Sequence, residues 1–337
     1  MNVENFKHLQ SAHCESGVAA SLLTHQGQKI SEPMAFGLGS GLFFAHLPFM
    51  KIMGLPLTSF RSYPGTILKK VFQRTGIKLQ KRQFKSEEKA LKALDEMLEQ
   101  GIPSGVQLSV FWLPYLPPQF RFQFNAHHAI ICGKKVDEYI VSDPIGEEMV
   151  TCPKEDFKRA WFAKGPLAPK GALYNAVSVA NGSKDRASAI KSALKETSNR
   201  MLRIPIPFFG VRGIRLLAKR MRRWPETLKT PRQVKLNLGQ VVRMQEEIGT
   251  GGAGFRFLYA AFLEEAASEI PGSRLKEASN LMTQAGDSWR AFAVQCAKAC
   301  KSDDFSKKTM NSLAETLEKA ADLEEEAFKL IDQCILC

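Results

Sequence analysis

Two adjacent histidines and an aspartate bracket a pair of short apolar runs in the middle of the chain. His127 and His128 open the first run, at residues 129–132, and Asp143 directly follows the second run, at residues 139–142. Both runs are β-prone and bounded by turn residues, so they predict an antiparallel hairpin whose two ends meet. One histidine would then lie beside Asp143, which could fix its tautomer and orient it as a general base.

A base of this kind needs a nucleophile, and Cys14 is the candidate. The residues that follow it, 15–23, are small or apolar and predict a helix that ends near Gly27. Cys14 would therefore stand at or just before a helix N-terminus, where the macrodipole and the N–H groups stabilise a thiolate and could hold an oxyanion. The alternative is a small buried hydrophobic residue, which is the commonest fate of a lone cysteine.

The order of these residues along the chain is that of papain-like cysteine enzymes. In such enzymes a cysteine on an early helix is followed, more than a hundred residues later, by a histidine on one strand and an acid on the next. Strand alternation sends His127 and His128 to opposite faces, and both faces are apolar, so the pattern leaves the choice between them open. Cys296 and Cys300 have no histidine nearby, so no metal site is predicted.

The surrounding pattern indicates strands mixed with helices up to about residue 180 and helices beyond it. The further strands are predicted at residues 77–84, 106–112, 120–124 and 172–180. The helices of this region are predicted at residues 64–76, 86–101 and 154–162. Residues 181–185 form a polar break. The predicted fold class is therefore α+β, with a papain-like cysteine-enzyme domain at 1–181 followed by an all-α helical domain at 186–337.

The composition of the chain is that of an ordinary globular protein, with 44% hydrophobic residues in 337. No apolar run approaches the roughly 18 to 20 residues that cross a bilayer, and the first twenty residues lack the pattern of a signal peptide. The seven cysteines form no disulfide framework. These features predict a soluble, cytoplasmic protein with reduced thiols and no membrane span.

Most of the formal net charge of +13 lies between residues 199 and 243, where twelve arginines and lysines accompany a single acid, Glu226. A field of this size attracts an acidic partner, which could be nucleic acid, an anionic membrane or an acidic carrier protein. The densest part, residues 212–223, lacks the interleaved aromatic residues on which single strands stack. Nucleic acid is therefore the less favoured partner.

Several segments resemble the butirosin biosynthesis protein H family. They are SAHCESGVAASLLTHQG, ISEPMAFGLGSGL, HHAIICG and YIVSDPIGE. Further along, IGTGGAGFRFLYAAFLEEAA and DSWRAFA resemble the helical domain that usually follows, so the resemblance covers nearly the whole chain. The family's N-terminal domain is itself similar to papain-like peptidases that process bacteriocin leaders. The resemblance implies a papain-like fold that passes an acyl group from a carrier-protein phosphopantetheine thioester to an amine.

The resemblance also implies roles for particular residues. Cys14 corresponds to the nucleophile and Asp143 to the orienting acid. The family histidine lies six residues before the glycine that ends its strand, which selects His127 over His128. The peptidases carry a glutamine six residues before the cysteine, where this chain has His8, with Gln10 four residues before, so the side chain completing an oxyanion hole stays open. The only cofactor group implied is the phosphopantetheine that the donor carries.

Taken together, these features predict a carrier-protein-dependent acyltransferase of specialised-metabolite or lipid biosynthesis, with a small amine as acceptor. A papain-like peptidase or amidase would use the same three residues. Outside enzymes, the alternative is a basic nucleic-acid-binding protein. An acidic acyl carrier protein is expected to dock on the basic residues of one predicted helix and its end, namely Arg212, Arg215, Lys219, Arg220, Arg222 and Arg223.

Overall fold

The computed structural model describes residues 2–52, 54–177 and 185–336. Of the polar break predicted at 181–185, only Asp185 lies within the described residues, and the predicted strand at 172–180 is described as far as Val177.

Helices and strands alternate in the first half of the chain, and helices fill the second. In chain order the helices are α1 (Cys14–His25), α2 (Glu32–Leu38), α3 (Thr66–Thr75), α4 (Glu87–Glu99), α5 (Lys154–Trp161), α6 (Arg186–Leu202), α7 (Gly210–Met221), α8 (Trp224–Thr227), α9 (Pro231–Glu246), α10 (Arg256–Glu269), α11 (Leu275–Ser302) and α12 (Lys307–Leu336). The strands are β1 (Leu42–Ile52), β2 (Leu55–Arg61), β3 (Lys78–Arg82), β4 (Ser104–Leu108), β5 (His127–Lys134), β6 (Glu138–Ser142), β7 (Val150–Pro153) and β8 (Leu173–Val177).

Contacts divide the chain into two compact units. The first comprises Met1–Ala35 with Pro64–Lys184, and the second comprises Phe36–Tyr63 with Asp185–Cys337. The predicted fold class is confirmed, because the first unit mixes helices with a sheet and the C-terminal region is helical. The predicted domains, 1–181 and 186–337, differ from these units at residues 36–63, which the contacts group with the helices of the second unit.

The first unit is built on a six-stranded sheet in the order β3, β8, β4, β5, β6, β7. Each pair of neighbouring strands is antiparallel. The predicted central hairpin is present as β5 and β6, in which Ile130 lies opposite Ser142. This register brings the start of β5 to the end of β6, because antiparallel strands run back along each other. The core beneath the sheet contains Leu94 and Leu98 of α4 and Phe157 and Trp161 of α5.

The first helix, α1, is buried along most of its length, from Cys14 to Leu23. It contacts both β5 and α3. Gly17 allows this close approach, since a Cβ atom at that position would lie 2.7 Å from both Pro144 and Ser11. The Ser11 amide donates a hydrogen bond of 2.6 Å to the Pro144 carbonyl, which fixes the chain before α1 against the loop after β6.

Two predictions for strands in the first unit were wrong. Residues 120–124 form no strand, since a 3-10 turn covers Pro118–Phe120 and irregular chain follows. Pro117 and Pro118, whose rings fix φ, lead into this turn, which takes up Phe120, the first residue of the predicted strand. The strand predicted at 106–112 ends at Leu108 and continues as a 3-10 turn at Val110–Trp112. The short strand β7 was not predicted.

The second unit joins the β1–β2 hairpin to helices α6–α12. The hairpin was not predicted. Pro48 and Pro56 interrupt its sequence pattern, and its pairing carries register shifts between Leu42 and Ala45 and between Leu47 and Lys51. The two long helices α11 and α12 pack against each other.

A fully buried ion pair crosses the interior of the second unit. Arg256 donates from Nε and Nη2 to the two carboxylate oxygens of Glu324, at 2.9 and 3.0 Å. Trp289 Nε1 donates to the same carboxylate at 2.7 Å, and the guanidinium lies over the rings of Phe60 and Trp289. The Gly254 carbonyl accepts from Arg256 Nη1 at 2.6 Å. Both charges are therefore paired and hydrogen-bonded, which is what burial of charge requires.

Candidate active site

The three residues predicted to do chemistry lie together in the first unit. Cys14 is the first residue of α1, His127 is the first residue of β5, and Asp143 follows the last residue of β6. His127 Nε2 is 2.7 Å from Asp143 Oδ2, and the Cys14 thiol lies close enough to the His127 ring to help raise its pKa. Relative exposures of 7%, 4% and 2% for Cys14, His127 and Asp143 show that the cluster is almost fully buried.

The Asp143 carboxylate sets the charge state of His127. Burial lowers the pKa of an imidazole, but the negative charge and hydrogen bond of Asp143, with a contribution from Cys14, raise the pKa of His127 well above its usual value. His127 can therefore carry a proton at neutral pH. Because Asp143 accepts from Nε2, Nδ1 is the ring atom left for the thiol. A protonated ring in this position stabilises a thiolate.

The Asp143 carboxylate is itself held from two further sides. The Tyr115 hydroxyl donates to Oδ2 at 2.9 Å, and the Ile145 amide donates to Oδ1 at 3.3 Å. Burial, together with the charge of Asp143, raises the pKa of Tyr115 well above its usual value, so the phenol stays a donor. Tyr115 belongs to the proline-rich loop after β4, and sequence reasoning missed it because no local pattern links it to Asp143.

The chain that leads into Cys14 is fixed by Glu32, in the first turn of α2. One carboxylate oxygen accepts the Ala12 amide and the other accepts the His13 amide, each at 2.8 Å. Ser16 Oγ donates to the same carboxylate at 3.1 Å. Burial raises the pKa of Glu32, although the two amides and the Ser16 hydroxyl oppose that shift. Sequence reasoning missed the role of Glu32 beside the nucleophile.

His13 caps α1 immediately before Cys14. Its Nδ1 accepts the Ser16 amide at 3.3 Å, and its carbonyl accepts the Gly17 amide at 2.9 Å. Cys14 therefore occupies the first helical position, as predicted, where the backbone N–H has no carbonyl of its own helix to bind.

His8 stands six residues before Cys14, where the related peptidases carry a glutamine, and it contacts the chain on either side of Asp143. His8 Nδ1 lies 2.8 Å from Ser142 Oγ, and Nε2 lies 3.0 Å from the Gly146 carbonyl. Both ring nitrogens are thus committed to the chain around Asp143. Gln10 is exposed.

The second histidine of the pair, His128, is directed to a different set of neighbours. Its Nδ1 lies 2.8 Å from the Tyr174 hydroxyl. That hydroxyl donates to the Val106 carbonyl at 3.3 Å. The two adjacent histidines therefore point to different surroundings, as strand alternation requires.

Within the described part of the chain, no group of three His, Cys, Asp or Glu side chains is arranged to hold a metal ion. Among the same residues, every helix is too short or too polar to cross a bilayer.

Two family models match the chain. The model described as a domain of unknown function, DUF4872, matches residues 155–331, which is more than half of the chain. The chain belongs to the DUF4872 family. The model described as butirosin biosynthesis protein H, N-terminal, matches residues 13–144, a range that contains Cys14, His127 and Asp143. The predicted resemblance to the butirosin biosynthesis protein H family is thereby confirmed.

One solved structure with similarity to this DUF4872 chain is the crystal structure of a protein described as a C39-like peptidase from Bacillus anthracis. The two chains share 16% identity, and the match covers 55% of this chain and 98% of the other, with a TM-score of 0.39. No curated protein matches the chain. The family match at residues 13–144 indicates a cysteine enzyme of a biosynthetic family, and the first unit has the predicted mixture of helices and sheet.

The contact between Glu32 and the two amides gives a first testable prediction. In Glu32→Gln the side chain keeps one acceptor oxygen and turns an NH₂ group toward the second amide, so residues 12–13 should shift. Since hydrogen bonds to charged groups contribute about 1.5–3 kcal/mol, we expect iodoacetamide to modify Cys14 roughly tenfold more slowly. Mass spectrometry of the Cys14 peptide measures the rate.

The matched control for this variant is Glu96→Gln, which makes the same chemical change on the exposed side of α4. Equal rates for the wild type, Glu32→Gln and Glu96→Gln would show that Glu32 does not position the nucleophile.

The pairing of His127 with Asp143 predicts a specific pH dependence. The His127 ring should titrate above the ordinary value of 6.5, and Asp143→Asn should lower that midpoint. Because the folded pKa is raised, the contribution of His127 to the free energy of unfolding is complete below pH 6.5 and is lost as the pH rises through the folded pKa. NMR titration of labelled histidine, assigned with His127→Gln, tests this. A midpoint at or below 6.5 would contradict it.

Proposed function

We propose that this chain is a cysteine acyltransferase. It would take an acyl group from the phosphopantetheine thioester of an acyl carrier protein and pass it to an amine in a biosynthetic pathway. The observation that carries the proposal is the buried cluster of Cys14, His127 and Asp143 at the start of α1. The resemblance to the butirosin biosynthesis protein H family supports the choice of donor and acceptor.

The proposed reaction has two steps. In the first, the Cys14 thiolate attacks the thioester carbon, the bond to the carrier sulfur breaks, and the carrier thiolate takes the proton from His127. In the second, the amine attacks the Cys14 thioester and gives its proton to His127, and the bond to Cys14 breaks to return the thiolate. The Cys14 amide, at the first helical position, is the donor expected to stabilise the oxyanion of each tetrahedral intermediate.

The alternative use of the same residues is cleavage of an amide bond. A peptidase must protonate a poorly leaving amine, whereas a thiol leaves readily, so a thioester mainly requires positioning and exclusion of water. The low exposure of Cys14 favours thioester transfer over amide cleavage, because water has little access to an acyl-enzyme formed there.

The proposed partner, an acidic carrier protein, would dock through the basic surface of α7 and its end. Two of the six predicted residues are paired within the second unit: Arg215 binds Asp322 and Glu325, and Arg222 binds Glu318 through two hydrogen bonds. The charges left for a partner are therefore the exposed side chains Arg212, Lys219, Arg220 and Arg223.

Mass spectrometry can test the acyl-enzyme directly. Incubation of the full chain with an acylated carrier protein, or with an acyl N-acetylcysteamine thioester, should add the acyl mass to the Cys14 peptide. Cys14→Ala should abolish the adduct, because it removes the thiol beside His127. His127→Asn should prevent its formation, and Asp143→Asn should slow it roughly 10³- to 10⁴-fold by disturbing the tautomer.

The controls for this test are Cys300→Ala, in the second unit, and His25→Asn, at the far end of α1. Both should form the adduct normally. An adduct on another cysteine, or full turnover in Cys14→Ala, would refute the proposed nucleophile. Hydrolysis of model peptides without transfer to amines would favour the peptidase alternative.

The docking surface makes a separate prediction. Reversing Arg212, Lys219 and Arg223 to glutamate should raise the apparent KM for the carrier-bound donor about tenfold or more at low salt. It should leave the KM for an acyl N-acetylcysteamine thioester nearly unchanged. The effect should shrink as salt rises, since exposed charges are screened beyond roughly 8 to 10 Å. Arg220 is left intact because its charge helps to lower the pKa of the buried His46.

The matched control reverses Lys298, Lys301 and Lys308, three exposed lysines of the same unit on α11 and α12. It makes the same change in net charge and should leave both donors unaffected. Equal losses for both donors in the Arg212, Lys219 and Arg223 variant would contradict docking at α7.

A further inference from the structure

A pocket that the three proposed catalytic residues do not line opens in the first unit between α3 and β3. Its volume is about 860 Å³, within the roughly 300–1,000 Å³ typical of small-molecule sites. The walls are apolar and consist of Leu68 and Phe72 from α3 with Ile77 and Leu79 from the following chain. The described residues thus provide space and hydrophobic surface for a ligand of moderate size.

The inner end of this pocket is polar. His128 and Tyr174 line it, each with 2% relative exposure, and they are hydrogen-bonded to each other at 2.8 Å. The charges of Glu15 and Cys14 add to burial in raising the pKa of Tyr174.

A hydrogen bond also ties the wall of the pocket to the nucleophile. The Leu68 amide, in the first turn of α3, donates to the carboxylate of Glu15 at 3.1 Å, and Glu15 directly follows Cys14. The wall residue Leu68 is therefore fixed to the residue that follows the proposed nucleophile.

The outer rim of the pocket carries positive charge. Lys69, Lys78 and Lys81 line it with exposed side chains, and no aspartate or glutamate is among the described lining residues. Such a rim favours an anionic group and disfavours a cationic one. Apolar walls beneath a cationic rim match an elongated molecule with an apolar body and an anionic end.

We propose that this pocket binds the apolar body of a carboxylate- or phosphate-bearing substrate, with the anionic group at Lys69, Lys78 and Lys81 and the reacting end toward Cys14. The placement of the reacting end rests on the proposed function. The ligand chemistry rests on the pocket alone. The substrate is either an acyl donor that carries an anionic group or an amine acceptor that carries one.

Binding to the full-length Cys14→Ala protein tests the ligand chemistry without any reaction. In calorimetric titrations decanoate should bind, and decyltrimethylammonium, with the same chain and the opposite charge, should bind at least about tenfold more weakly. The triple variant of Lys69→Gln, Lys78→Gln and Lys81→Gln should lose about tenfold in affinity for decanoate, because each exposed charge contributes only modestly to the affinity. Leu79→Trp should block the pocket and abolish binding.

The matched control replaces Lys85, Lys89 and Lys92, three exposed lysines of the same unit that do not line the pocket, with glutamine. It should bind decanoate as the Cys14→Ala protein does. Absence of decanoate binding, equal binding of the two probes, or equal loss in both triple variants would overturn the proposal.

Two reactions with the active protein identify the source of the anionic group. If the group belongs to the donor, an ω-carboxyacyl N-acetylcysteamine thioester should acylate Cys14 at a lower KM than the neutral acyl analogue. If it belongs to the acceptor, 6-aminohexanoate should accept the acyl group more efficiently than hexylamine. The Lys69, Lys78 and Lys81 variant should remove either preference, and absence of both would overturn the assignment of the pocket to the reaction.

These experiments separate failure of the pocket from failure of the acyltransferase. Charge-selective decanoate binding without any Cys14 adduct would refute the proposed function and leave the ligand chemistry standing. A Cys14 adduct without decanoate binding would refute the ligand chemistry and leave the proposed function standing.

Discussion

The position of Cys14 depends on two contacts that act on the chain just before and just inside α1. The Glu32 carboxylate binds the Ala12 and His13 amides, which fixes the segment that enters the helix. Gly17 lets the same helix approach Pro144, next to the acid that orients the proposed base. A helix N-terminus stabilises a thiolate only over about one turn, so the thiol must be held in place to benefit. The β5–β6 hairpin then brings His127 and Asp143 to that fixed point.

The central residues of the site could be predicted because each carries a local signal. Cys14 stands where a helical pattern begins, and His127 and Asp143 are brought together by a short hairpin. Glu32 and Tyr115 carry no such signal, because their partners lie 19 and 28 residues away on other elements and share no sequence pattern with them. Contacts of that kind depend on tertiary packing, which hydrophobic periodicity does not encode.

Features of the fold and of the charge pattern could likewise be predicted where they depend on local sequence, but not where they depend on distant residues. Helices with clear caps and apolar stripes were predicted well, whereas the β1–β2 hairpin, interrupted by prolines and register shifts, was missed. The basic character of α7 was predicted correctly from its composition, but composition does not distinguish one of its arginines from another. The structure distinguishes them, because acids of α12, about a hundred residues later, neutralise Arg215 and Arg222.

The buried pair of Arg256 and Glu324 restricts how this sequence can change over evolutionary time. Loss of one partner leaves a charge buried without its counter-ion, at a cost of roughly 3–5 kcal/mol, whereas an apolar replacement of both can be neutral. That cost is a large part of the roughly 5–15 kcal/mol that keeps an ordinary domain folded. An ancestor with only one of the two substitutions would therefore be strongly selected against. Positions 256 and 324, 68 residues apart, should be inherited as a unit, kept together or exchanged together.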